Sequence, residues 1–258
     1  MDAQGVAQSR ARFTEMYPIV GSHIKRIGWL RVIAGGGSMY LSIPMFIAFH
    51  VSVAVALYQW MLRPLFGLPR VRWADHVIID RHRIEGLPFF DVFNCWFCGY
   101  ANGLCTMINT ELDHLSAHEG RLPPWRRVLA GCAVALNLPF LWLGEWFGIR
   151  FIYDVLVSRP LGMHRTGRAE AAQLLENAGY AKNFGAGRGV LLYAKNMTLR
   201  LSLALEQIES SWCPLKHFER RNGIVYPEHH KRFFGPQELE TMRHTLSTVG
   251  TVSPKKPL

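Results

Sequence analysis

Most of the signatures that mark an enzyme are missing from this chain. It has no G-x-S-x-G nucleophile elbow, no H-E-x-x-H zinc helix and no glycine-rich dinucleotide fingerprint. Gly185-Ala186-Gly187-Arg188-Gly189 has the glycines of a phosphate nest without the Lys-Ser/Thr of a P-loop. Acidic residues are scarce, nineteen against twenty-nine Lys and Arg, for a net charge of +10. No aromatic-basic pattern of a nucleic-acid module accompanies that excess, so its expected partners are anionic lipid head groups rather than nucleic acid. The five cysteines cannot all pair within one chain. Residues before Leu30 lack the short apolar core and small-residue cleavage site of an exported precursor. Reduced thiols facing a cytosol-like compartment are therefore expected.

What the chain does have is apolar residues gathered in blocks. Hydrophobic residues make up 49%, including 15 Phe, 8 Trp and 8 Tyr, more than a small soluble domain needs. Met39–Leu62 is interrupted only by Ser42, Pro44, His50, Ser52 and Gln59, and is long enough to cross a hydrocarbon core of roughly 30 Å. Tyr40 and Trp60 would mark its interfaces, with Arg31 and Arg63 outside them. His50, at mid-span, is expected to satisfy itself against another helix, with haem or metal ligation as the sharper alternative. Leu129–Val157 contains Glu145, Arg150 and Asp154, which a single straight lipid-facing helix would bear at high cost. A broken element is expected, rising to Asn137-Leu138-Pro139 and returning as an amphipathic limb, Phe140–Val157. Arg126 and Arg127 before it, and Arg159, Arg165 and Arg168 after it, put both ends on the basic side of a membrane. Counted by segment, residues 1–37 carry +3, 61–128 carry +1 and 159–258 carry +7. That distribution suits the competing arrangement, a simple two-span hairpin with its middle outside.

The chemistry lies in the thiols. Asn94-Cys95-Trp96-Phe97-Cys98-Gly99 contains a C-x-x-C, whose spacing brings two thiolates to one ion from a turn or helix start. Trp212-Cys213-Pro214-Leu215-Lys216-His217 adds a thiol and an imidazole, completing a Cys₃His metal set of Cys95, Cys98, Cys213 and His217. A dithiol redox pair and buried structural cysteines are the plainer readings. Cys105 is an alternative fourth ligand, and Cys132 reads as core filler. A closed four-ligand site leaves no position for substrate, so the metal is expected to be structural zinc, with iron exchanging electrons as the alternative. Glu111-Leu112-Asp113-His114 has the E-x-x-H spacing of half a di-iron site, but no second copy exists, and a solvated helix end is the plainer reading. His229 and His230 follow Pro227-Glu228 in a polar segment and read as exposed.

The fold class expected is mainly α: a membrane-associated helical protein with one spanning and one broken or re-entrant apolar element plus polar cytosolic segments. Its parts are a basic amphipathic segment, 1–37; a transmembrane helix, 38–62; a helical and loop region with the C-x-x-C, 63–128; the broken helix, 129–157; a helical region with Cys213 and His217, 158–245; and a disordered tail, 246–258. Within these, Phe89–His118 reads as one helix, or two broken at Gly99 or Gly103. Val190–Ile208 reads as an amphipathic helix burying Met197, Leu201, Ala204, Leu205 and Ile208. Two functions are weighed. One is a membrane-anchored, metal-stabilised accessory or scaffold subunit docking another membrane protein or a second copy of itself, in a bacterial inner membrane with the metal on the cytoplasmic side. The other is a membrane-bound oxidoreductase or electron-transfer protein acting on a lipid or quinone.

Overall fold

A computed structural model describes residues 24–25, 27–77, 79, 89–118, 123–159, 168–182 and 188–212. The chain is mainly α-helical. A first long helix, Trp29–Phe66, joins α1 (Trp29–Leu41), α2 (Ile43–Phe49), α3 (His50–Leu62) and α4 (Arg63–Phe66). A short 3-10 turn, Trp73–Asp75, precedes α5 (Phe89–Ser116). A second long helix joins α6 (Pro124–Leu143) to α7 (Gly144–Ser158), and α8 (Arg168–Asn177) and α9 (Arg188–Trp212) follow.

The expected turn at Asn137–Pro139 does not occur. Pro139 lies inside a helix that continues through it, and the Asn137 amide donates 3.0 Å to the Ala133 carbonyl of its own helix. The acidic charge that argued for a break points inward, where Glu145 meets Arg200. The two long helices share a further trait: α3 and α7 wind with the wider i→i+5 bonding of a π-helix. Pro44 and Pro139 precede these wide segments, and a proline removes one N–H from the regular ladder.

The two long helices run antiparallel. Phe49 covers Gly144 and, one turn back, Met45 covers Gly148, so partners rise in number as the first helix falls. α5 and α9 also cross antiparallel, with Lys195 near the start of α9 bonded to Asp113 near the end of α5. Within the first half, α5 runs alongside the first long helix in the same direction. Tyr40 donates to Asn94, Tyr100 meets the Phe46 carbonyl, and Gln59 donates to Glu111. The connector after Phe66 therefore doubles back along the helix before α5 begins.

This arrangement is an internal duplication. Trp29-x-Arg31-Val32-Ile33-Ala34-Gly35 recurs as Trp125-x-Arg127-Val128-Leu129-Ala130-Gly131. Ile43-Pro44 recurs as Leu138-Pro139, and Arg63-Pro64-Leu65 as Arg159-Pro160-Leu161. Tyr100-Ala101 on α5 answers Tyr193-Ala194 on α9, and the matched positions Leu104/Met197, Ile108/Leu201 and Leu115/Ile208 are all buried. Counted from the two prolines Phe49 and Gly144 fall at the same place, whereas the flanking Trp-x-Arg and Arg-Pro-Leu repeats pair Phe49 with Glu145; Phe49 and Gly144 touch each other.

The core lies between the long-helix pair and the α5/α9 pair, centred on Phe46, Phe49, Leu104, Ile108, Met197 and Leu201. The outside of the long helices is different. Their exposed positions include Trp29, Leu30, Ile33, Leu41, Ile47, Val51 and Trp60 on one, and Trp125, Val128, Leu136, Trp142, Phe151 and Val155 on the other. Among exposed described residues from Trp29 to Phe66, Arg31 is the one charge. Buried polar residues collect inside, including Glu111, Glu145, Lys195, Asn196 and Arg200. An apolar core with a few buried charges, and a largely apolar outer surface on the long helices, are the two features of the packing.

Candidate functional site

α5 is continuous because Gly103, where a break was conceivable, serves a contact instead. A Cβ there would stand 2.6 Å from Val77 Cα and 2.7 Å from the His76 carbonyl, so glycine lets the connector press onto the helix. Continuity sets the geometry of the C-x-x-C. Cys95 and Cys98 sit three residues apart near the start of α5, both half-buried, and share a side of the helix. Their turn is fixed from outside by the Tyr40–Asn94 hydrogen bond of 2.7 Å and by Phe93 against the Tyr40 ring. From inside it is held by Phe97 edge-on to Phe46.

Beside this turn, Met39 packs on a small cluster of Tyr153, Ala204 and Ile208. The last turns of α9 therefore reach the same end of the molecule as Cys95 and Cys98. Cys213 and His217 lie outside the described residues, as do His229, His230 and the tail. Cys105 is excluded as a replacement ligand for this end. Seven residues beyond Cys98, it is two turns or about 10 Å along the helix, and it is buried against Phe46, Phe49 and Met197. Cys132, expected in the core, is exposed on the outer face of α6. Among the described residues, no group of three His, Cys, Asp or Glu is placed to hold a metal ion.

The E-x-x-H stretch is not a solvated helix end. Glu111 is 1% exposed and accepts a 3.2 Å hydrogen bond from Gln59, whose amide also donates to the Val71 carbonyl. Burial pushes the Glu111 carboxyl up to about 9, with the Gln59 hydrogen bond opposing, so it is protonated at neutral pH. Its second oxygen has no hydrogen-bond partner among the described residues. His114 meets the Tyr58 hydroxyl at 3.1 Å, and the same hydroxyl donates to the Pro69 carbonyl. His118 stands edge-on to Phe66. Glu111, His114 and His118 do share a face, and that face ties the connector and the first long helix to α5.

His50 stacks on Trp73 at 4.4 Å and reaches the Tyr100 hydroxyl at 3.4 Å, in keeping with a structural role. The strongest buried ion pair joins Arg200 to Glu145 at 2.6 Å, with Arg150 as a second donor at 3.3 Å and its guanidinium over the Trp146 ring. Sequence spacing carried no sign of the Arg200–Glu145 pair, because its members come from different helices 55 residues apart. Lys195 donates to the Asn109 carbonyl and pairs with Asp113; burial holds its ammonium below the usual lysine range while Asp113 opposes. A void at the core among the described residues, lined by Cys105, Met197 and Thr198 among others, is ≈ 10 Å³, too small for a ligand. No family model, no curated protein and no solved structure matches the chain.

Proposed function

We propose that the protein is a membrane-associated accessory or scaffold subunit whose Cys95, Cys98, Cys213 and His217 hold one structural zinc. The observation that supports this reading is the shared end. The C-x-x-C turn and the last described turns of α9 stand at the same end of the first long helix, by Tyr40 and Met39, and Cys213 follows Trp212 directly in sequence. Two thiolates on one helical turn suit a soft divalent ion, and a third thiolate with an imidazole closes the coordination. The metal would pin the segment beyond α9 to the start of α5. The apolar exterior of the long helices supplies the membrane contact, and the net charge of +10 suits anionic head groups.

Elemental analysis of the purified full chain tests the site. One zinc per chain is expected, and Cys95→Ser and Cys213→Ser should each remove it. Full metal content in both variants overturns the shared site. Iron with a charge-transfer spectrum would move the reading to an electron-transfer protein acting on a lipid or quinone.

A further inference from the structure

The long helices invite a spanning orientation, being 38 and 33 residues long and apolar. Their exposed apolar residues run from Trp29 to Trp60 and from Trp125 to Val155, roughly 40 Å of helix against a hydrocarbon core of about 30 Å. Tilt would absorb that difference, so length does not decide the matter. The connector does.

After Phe66 at one end, the chain must return to the level of Tyr40 before α5 sets out again. On the way Trp73 stacks on His50, near the middle of the first long helix. Flanking Trp73 are Arg72 and Asp75, paired at 2.8 Å with 71% and 47% of their side chains exposed. In a spanning orientation this open ion pair would lie at the bilayer centre, where exposed charge is strongly disfavoured. Arg70, also exposed, precedes them on the same described stretch of the connector. The second half repeats the problem. Ser158 ends α7, yet Ala181 bonds Ser116 at the far end, and the described residues between them include the exposed Arg159 and Glu176.

The aromatic positions point the same way. Trp29, Trp60, Trp125, Trp142 and Trp146 are spread along the outer face, ends and middle alike, rather than collected into two belts. Arg150 lies over Trp146 on that face, reaching Glu145 inward.

We infer that the two long helices lie flat in a single leaflet, their common outer face among the acyl chains and α5, α9 and both connectors in water. Resting on the proposed membrane association, this fixes its form: both long helices meet the same leaflet. Immersion of an outer helix face by roughly 5–10 Å covers the exposed tryptophans and leaves Arg72 and Asp75 solvated.

The test uses the full chain in sealed vesicles containing anionic lipid, with single cysteines introduced as Ala117→Cys and Arg159→Cys at the two ends of the bundle, the native cysteines being subtracted by labelling of the parent. Membrane-impermeant maleimide should label both positions from one face of the vesicle, and neither from the other. Labelling from opposite faces overturns the flat orientation while leaving membrane association standing. Failure of the chain to float with the vesicles overturns both.

Discussion

Burial moves the Glu111 carboxyl far from its ordinary range. An acid raised from 4.5 to about 9 holds a proton in the folded state that the unfolded chain has released. Stability should therefore fall as pH rises between those values, by up to about 1.4 kcal/mol per unit. Glu111→Gln keeps the Gln59 contact and removes the slope, so the variant should match the parent near pH 4 and exceed it in thermal unfolding at pH 8. Parallel pH profiles for the two would show that Glu111 is not the titrating group. Arg200 and Glu145 behave oppositely. Arg200→Met strands a carboxylate that is 3% exposed and should cost about 3–5 kcal/mol, less whatever Arg150 retains. The double variant Arg200→Met/Glu145→Gln should recover much of that loss in the same denaturation assay.

Among the elements, the connector pressed on α5 is the most exposed to a single change. Gly103→Ala would drive a methyl into the backbone of His76 and Val77 and should cost about 1–3 kcal/mol. The signature beyond lost stability is faster amide hydrogen exchange at Val71–Val77, while α9 stays protected; unchanged exchange there would refute the contact. The elements were largely legible in the sequence. Apolar blocks located both long helices, and 3.6-residue periodicity located α9 with Met197, Leu201, Ala204 and Ile208 on its buried face. The break at Asn137–Pro139 was misread because Glu145 and Arg150 were weighed against lipid, whereas Arg200 supplies the partner from a helix distant in sequence. Likewise Glu111 resembled a surface residue until Gln59 and Val71 were found around it. Of the candidate metal set, Cys95 and Cys98 lie on one turn near the start of α5. Pairwise folding, which brings α9 to that end, has no local signature.

At the scale of the molecule, the two halves interlock. Each long helix buries its inner face on the opposite half, and α5 finds its main partner in α9. Cutting the chain between Ala117 and Pro123 and co-expressing the pieces should still yield a joined complex that copurifies from membranes. Either piece alone should be degraded or aggregate; a stable monomeric half would contradict the interlocked core. The contact of Phe49 with Gly144 adds a restriction of its own. Two benzyl groups there would contend for one hole, and two bare backbones would leave it empty. A large ring from one repeat and a hydrogen from the other fills the place once. The halves are thereby fixed as lock and key, and swapping them, or pairing one with its own twin, forfeits the fit.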